Sequence, residues 1–201
     1  MEILNFSFNK QVSHMVCCTE NGYHIYALNP KIIKIASLHE GNGFSIAKML
    51  GITERQILVG GGKKPFCSDA AAIIWNVEAK TEMLQLIMKE KIYNILYEED
   101  KIVVIFEKKI YVLNEHCKLD YAKSTFLNKD GLCTITKNAT DQKILTLGPQ
   151  LGEVAIWDTK NNKNYKIIKA HNSNITAIAI NPDGTRIATG SETGTLIKVF
   201  D

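Results

Sequence analysis

Apolar and polar positions alternate along the chain in short runs that recur about every 40–45 residues. Each repeat contains a β-branched and aromatic run that ends at, or just short of, a small polar residue. These polar positions are 47, 38, 44 and 43 residues apart, and they are Asn29, Asn76, Asn114, Asp158 and Asp201. A repeat of this length with a Trp-Asp-like ending is typical of the blades of a β-propeller.

Each repeat also carries further apolar runs beside its ending. In the fourth repeat these are LCTITK and KILTLG before VAIWD, and YKIIKAH after it. Glycine or charged turn residues separate the second run from the ending, as a β-hairpin requires. The pattern therefore predicts four antiparallel strands in each of the first four blades. The fifth blade, which ends on IKVFD, has three strands and lacks its outer one.

Helices are not predicted between these strands, because no window shows a long 3.6-residue period. Residues 79–96 have helical propensity, but they lie where two neighbouring blades place strands, so we predict strands there. Trp75 and Trp157 are expected at equivalent positions two blades apart. The predicted fold class is all-β, a WD40-type β-propeller with about four and a half blades. We predict one incomplete domain over residues 1–201, the front portion of a six- or seven-bladed protein.

The composition is that of a globular protein and names no nucleic-acid partner. Of the 201 residues 45% are hydrophobic, and 24 basic against 21 acidic residues give a net charge of +3. A nucleic-acid-binding domain usually concentrates more positive charge than this. No stretch approaches the ~20 apolar residues of a membrane span, and the N-terminus lacks the apolar run of a signal peptide. We therefore predict a cytoplasmic protein.

The cysteines are odd in number and none lies in a C-x-x-C pair; they are Cys17, Cys18, Cys67, Cys117 and Cys133. This pattern predicts reduced thiols, with neither disulfides nor zinc. Cys17 and Cys18 follow one another on one predicted strand, so they should point to opposite faces of the sheet.

No arrangement of residues predicts catalysis, a bound metal or a cofactor. The histidines are scattered, no G-x-S-x-G is present, and no pair of carboxylates is recognisable as a general acid and base. The stretch LVGGGKKP (58–65) suggests a phosphate-binding loop, but Lys64 stands where Ser or Thr should bind Mg²⁺, and Pro65 follows. We interpret it as a long, flexible hairpin loop. The protein is predicted not to be an enzyme.

The fifth repeat concentrates polar side chains that suit an anionic headgroup. They are His171, Thr189, Ser191, Thr195 and Lys198. In a hairpin the three hydroxyls lie near the turn, and the lysine follows on the returning strand. Hydroxyl, imidazole and ammonium groups can all donate hydrogen bonds to phosphate oxygens. The alternative is an internal hydrogen-bond chain, in which a histidine and a Ser/Thr connect to the terminal aspartate of a WD repeat.

Several stretches together resemble one known family. They are FNKQVSHMVCCTENGYHIYALNP near the N-terminus, LVGGGKKP with AIIWN, DGLC (130–133), and above all AHNS with NPDGTRIATGSETGTLIKVFD. On these stretches, which cover nearly the whole chain, the sequence resembles the PROPPIN family. PROPPINs are β-propellers that bind polyphosphoinositides in autophagy.

The resemblance implies a seven-bladed propeller with two sites for phosphatidylinositol 3-phosphate and the 3,5-bisphosphate. His171, Thr189, Ser191, Thr195 and Lys198 match the first site, with Lys198 where the family usually has Arg. The family's Arg-Arg-Gly motif would follow Asp201. The family also contacts an autophagy lipid-transfer protein through its first blades. Asn9 and Gln11 fall there, and Gln11 replaces an Asp of the family pattern.

Together these features predict a non-enzymatic adaptor in autophagosome formation. It would bind phosphoinositide headgroups and be recruited from the cytoplasm to phagophore or endosomal membranes, bringing proteins with it. The alternative is a generic WD-repeat scaffold that binds proteins and no lipid.

Overall fold

The computed structural model describes residues 2–50, 54–98, 100–136, 142–159 and 165–201. These residues form 19 strands and, in the described ranges, no helix. The strands make five antiparallel sheets that fall into two compact units, residues 1–92 and 93–201.

The first unit contains two four-stranded sheets. Sheet 1 consists of β1 (Ile3–Phe8), β2 (His14–Thr19), β3 (Gly22–Ala27) and β4 (Ile33–Leu38). Sheet 2 consists of β5 (Phe44–Leu50), β6 (Arg55–Gly60), β7 (Ala71–Asn76) and β8 (Thr81–Ile87). In both sheets the strands pair in chain order, so each connection is a hairpin.

The second unit contains two four-stranded sheets and one of three strands. Sheet 3 consists of β9 (Asn94–Glu98), β10 (Lys101–Ile105), β11 (Lys109–Leu113) and β12 (Leu119–Ser124). Sheet 4 consists of β13 (Cys133–Ile135), β14 (Lys143–Leu147), β15 (Glu153–Asp158) and β16 (Lys166–Lys169). Sheet 5 consists of β17 (Ile175–Ile180), β18 (Ile187–Ser191) and β19 (Ile197–Phe200).

These sheets confirm the predicted pattern of four complete blades and a fifth with three strands. The stretch 79–96 forms β8 and the start of β9, as predicted, and no helix. Trp75 and Trp157 are each the next-to-last residue of the third strand in their sheets. Their partners, Gln56 and Ile144, are each the second residue of the second strand. The predicted equivalence of the two tryptophans is therefore confirmed.

Alternation along the strands builds the apolar layers between sheets within each unit. Between sheets 1 and 2, Val16 and Cys18 of β2 pack in one buried cluster with Tyr23 and Ile25. Cys17 lies between them in sequence and outside that cluster, since successive side chains point to opposite faces. In the second unit, one buried cluster joins sheets 3 and 4 and another joins sheets 4 and 5.

The glycine-rich hairpin loop between β6 and β7 is pinned to the start of β5, which corrects its interpretation as a flexible loop. The Gly43 N–H donates to the Lys64 carbonyl at 2.7 Å, and the Phe66 N–H donates to the Gly43 carbonyl at 3.1 Å. A Cβ on Gly60 would lie 1.7 Å from the carbonyl oxygen of Cys67. Only glycine allows this approach.

Candidate functional site

The β18–β19 hairpin places Lys198 beside a buried threonine. Thr189 of β18 lies directly opposite Lys198 of β19. Directly opposed residues of an antiparallel pair project from the same face of the sheet. The turn between the strands contains Gly194, with φ 68°, and is closed by the Gly194 N–H donating to the Ser191 carbonyl at 2.9 Å.

His171 reaches this hairpin from the loop that precedes β17. Its Nε2 and the Thr189 Oγ1 share a hydrogen bond of 2.9 Å, and both side chains are buried. The His171 backbone is fixed as well, because its N–H donates to the Gly152 carbonyl. The two residues are thus held in one geometry before any ligand binds.

The other three predicted residues differ in accessibility. Ser191 is buried at the end of β18, whereas Thr195 and Lys198 are exposed. The structure therefore brings His171, Thr189 and Lys198 together, with Ser191 two residues along the same strand and Thr195 in the turn. An anion approaching the hairpin would meet the exposed lysine and threonine first.

The alternative was an internal hydrogen-bond chain from a histidine through a threonine to Asp201. Only the bond between the histidine and the threonine is present. His171 and Thr189 are joined, but the Asp201 carboxylate accepts from Arg186 Nε at 2.8 Å. Thr189 lies opposite Lys198, and Asp201 is three residues further along, roughly 10 Å on an extended strand. Asp201 is therefore out of reach of the His171–Thr189 pair. The hydrogen-bonding capacity of the His171–Thr189 pair is therefore not directed to the terminal aspartate.

Two contacts that the sequence did not predict hold the turn against the loop before β17. Ser173 Oγ and Thr193 Oγ1 are 3.0 Å apart. The side-chain amide of Asn174 donates to Glu192 Oε2 at 3.0 Å, and its backbone N–H donates to Glu192 Oε1 at 3.3 Å. In the sequence, the polar composition of both segments was the one indication of such contacts. It did not specify which residues meet.

The residues predicted to bind a protein partner lie in the β1–β2 turn and play different parts. Asn9 is buried, and its Oδ1 accepts from the backbone N–H groups of Ser13 and His14 at 2.9 and 3.0 Å. Its Nδ2 donates to Ser13 Oγ and to Gln11 Oε1. Asn9 therefore builds the turn, and only the exposed Gln11 is accessible to a partner.

Burial makes two of the cysteines poor nucleophiles. All five are free thiols, and burial raises the pKa of Cys18 and Cys133 to about 12. Such thiols stay protonated at neutral pH and are poor nucleophiles. In the described ranges no group of three or more His, Cys, Asp or Glu side chains could hold a metal ion. No helix in these ranges is long and apolar enough to cross a membrane.

Comparison with known proteins places the chain within one family. The PROPPIN family model matches residues 2–201. Autophagy-related protein 18e of Arabidopsis thaliana is 28% identical over 205 residues, covering 100% of this chain and 54% of the relative. Autophagy-related protein 18 of Dictyostelium discoideum is 29% identical, covering 98% and 53%. The chain therefore spans about half the length of the curated relatives that it matches.

Solved structures of similar fold confirm the predicted β-propeller class. Hsv2 of Kluyvelomyces marxianus superposes with a TM-score of 0.80 at 22% identity, over 99% of this chain and 61% of that one. A complex of KlAtg21 with the coiled-coil of AgAtg16 gives 0.83 at 22% identity, over 100% and 66%. At this level of identity the similarity concerns the fold alone.

Proposed function

Because the chain belongs to the PROPPIN family, we propose that it binds 3-phosphorylated inositol lipids and acts as a non-enzymatic adaptor in autophagosome formation. Its curated relatives are autophagy-related proteins, which supports a role in autophagy. The proposed ligand is the headgroup phosphate, and the proposed site is His171, Thr189, Ser191, Thr195 and Lys198.

The observation that carries the proposal is the pairing of Lys198 with Thr189, whose hydroxyl is already fixed by His171. The exposed Lys198 can meet a phosphate at the surface, and the buried Thr189 hydroxyl, held by His171, lies on the same face of the hairpin. Hydrogen bonds to charged groups contribute about 1.5–3 kcal/mol each. Lys198 supplies a point charge and not the bidentate fork of an arginine, so its bond to phosphate is less directional.

Liposome flotation tests this site. The full chain is expected to float with vesicles that contain phosphatidylinositol 3-phosphate, and less with vesicles that contain unphosphorylated phosphatidylinositol. Thr195→Ala combined with Lys198→Ala should weaken binding at least tenfold, because two exposed donors to the phosphate are removed. Thr81→Ala with Lys89→Ala, an exposed pair in sheet 2 and the turn after it, is the matched control and should bind like the unchanged chain.

Two outcomes would count against the lipid proposal. Equal binding by the site variant and the control would show that the site lies elsewhere. No preference for the phosphorylated lipid would favour the alternative, a WD-repeat scaffold without lipid binding. Circular dichroism of both variants establishes that the sheets are intact before the comparison is made.

The adaptor part of the proposal concerns protein partners. One structural neighbour was solved as a complex with a coiled-coil, which supports a coiled-coil protein as the recruited partner. Contact with a lipid-transfer protein through Gln11 stays a prediction. Size-exclusion chromatography of the chain with a candidate coiled-coil tests recruitment, and Gln11→Ala tests whether the β1–β2 turn takes part.

A further inference from the structure

Four side chains in the layer between sheets 1 and 2 carry buried polar atoms without a hydrogen-bond partner among the described residues. These atoms are Tyr23 OH, His39 Nε2, Trp75 Nε1 and both amide atoms of Gln56. Tyr23 and Gln56 are 0% exposed. Native proteins leave few such groups, since an unsatisfied buried donor or acceptor destabilises the fold by about 1–3 kcal/mol.

Three of these side chains are in ring contact, and the fourth shares a sheet face with one of them. The ring of His39 stands 4.5 Å from the ring of Trp75, edge to face, and 5.9 Å from the ring of Tyr23. Gln56 is directly opposite Trp75 in the β6–β7 pair, so the two side chains share a face of the sheet. Phe44 and Phe66 pack against the same rings and offer no hydrogen bond. The unpartnered atoms are therefore concentrated in one apolar layer.

Corresponding groups in the second unit are satisfied by protein atoms. Trp157, the equivalent of Trp75, donates its Nε1 hydrogen to Tyr121 Oη at 2.9 Å. His171, which precedes the first strand of sheet 5 as His39 precedes that of sheet 2, bonds with Thr189.

The register shows why His39 has no such hydroxyl. Thr189 lies two residues after Ile187, which pairs with Phe200, and Leu58 lies two residues after Gln56, which pairs with Trp75. Phe200 and Trp75 correspond, because each directly precedes the polar residue that ends its repeat. Leu58 is therefore the residue that corresponds to the threonine.

We propose that the layer between sheets 1 and 2 is a buried water site, in which ordered water bridges Tyr23, His39, Gln56 and Trp75. Water both donates and accepts, which matches this mixed set: the indole N–H only donates, while the phenol and the amide do both. Buried water typically makes about three hydrogen bonds to otherwise unsatisfied groups. The ligand is neutral, and burial lowers the pKa of His39, so the imidazole facing it is neutral as well.

The sign of a stability change tests the proposal. Tyr23→Phe and Gln56→Met remove polar atoms and keep nearly the same shape. With water bound, each change leaves the water and the remaining groups short of a partner, so the unfolding equilibrium constant should rise about fivefold. In a dry layer each change removes an unsatisfied group, and the equilibrium constant should fall. Tyr121→Phe, which removes a hydroxyl whose partner is Trp157, is the benchmark for the loss of one hydrogen bond.

Two further measurements test the proposal, and the second does not depend on the folding of any variant. The double variant Tyr23→Phe/Gln56→Met should be non-additive in urea unfolding, because both side chains address the same water. In the unchanged chain, nuclear Overhauser contacts should connect the indole N–H of Trp75 with long-lived water. A stabilised pair of single variants, or an indole N–H without a water contact, would overturn the proposal.

Discussion

At the scale of the residue, two histidines occupy comparable places before the first strand of a sheet, and they differ in their hydrogen-bond partners. His171 is hydrogen-bonded to Thr189, whereas His39 packs among aromatic rings with its Nε2 buried and unpartnered by the described residues. Burial lowers the pKa of His39 below the ordinary histidine value. Removing a cation from water is unfavourable when no acceptor or opposite charge replaces the solvent. His39 is therefore held neutral, and its protonation is coupled to unfolding.

This coupling predicts a pH dependence of stability. A histidine whose pKa is lowered in the folded state binds its proton more tightly when unfolded, so stability is complete above about pH 6.5 and falls as the pH drops below it. His39→Phe should flatten this part of the profile, measured as urea midpoints from neutral pH downward. His116→Gln, which removes an exposed imidazole, is the control, and the difference in slope between the two variants is the measured quantity. His24, whose pKa burial also lowers, contributes a slope of the same sign. An unaltered slope in His39→Phe would contradict the prediction.

At the scale of the element, close backbone approach decides which loops are rigid. The loop after β6 passes so near the start of β5 and Cys67 that side chains are excluded at several glycines. Its lysines are exposed. Lys63 Nζ lies 3.8 Å from Oε2 of the half-buried Glu20, and with the lysine in solvent this ion pair contributes little to stability. The loop is therefore built by backbone hydrogen bonds and glycine, and its lysines are presented on a fixed support.

Substitution of a packed glycine should be far more damaging than substitution of an open one. In Gly60→Ala the new Cβ would meet the Cys67 carbonyl oxygen at 1.7 Å, so backbone must move, at a cost of roughly 3 kcal/mol or more. Gly41 has φ 92° and no atom near its would-be Cβ, so Gly41→Ala should destabilise by only about 1–2 kcal/mol through backbone strain. Urea denaturation compares the two variants. Equal losses would mean that the loop does not approach Cys67 as closely as described.

At the scale of the whole molecule, one face of sheet 5 exposes apolar side chains to solvent. Ile197 and Val199 of β19 are 79% and 62% exposed, and Ala177 and Ala179 of β17 lie on the same face. Phe6 and Phe8 are likewise exposed on sheet 1. Exposed apolar side chains that lie together on one sheet favour association, and among the described residues no strand pairs with the outer side of β19.

The exposed face of sheet 5 is therefore expected to drive self-association of the 201-residue chain. Ile197→Thr with Val199→Thr keeps β-branched side chains and reduces apolar area, so light scattering at rising protein concentration should show less association. Ile87→Thr, at an equally exposed position on β8, is the control for apolar exposure outside this face. If the control lowers association as much as the double variant, the effect does not belong to sheet 5.

The sequence by itself determined the number of strands, their order, and the three-stranded fifth sheet, because alternation and turn residues are local properties of the chain. It also singled out the polar residues of the fifth repeat. Only the tertiary structure decided which of them meet. His171 is hydrogen-bonded to Thr189, 18 residues away in sequence, and Asp201 accepts a hydrogen bond from Arg186. The tertiary structure also decided that His39 packs against Trp75, and that Cys67 and Ser45 leave no room for a side chain at two glycines. These contacts join side chains from different strands, and their distances depend on register and sheet packing, which no local pattern encodes.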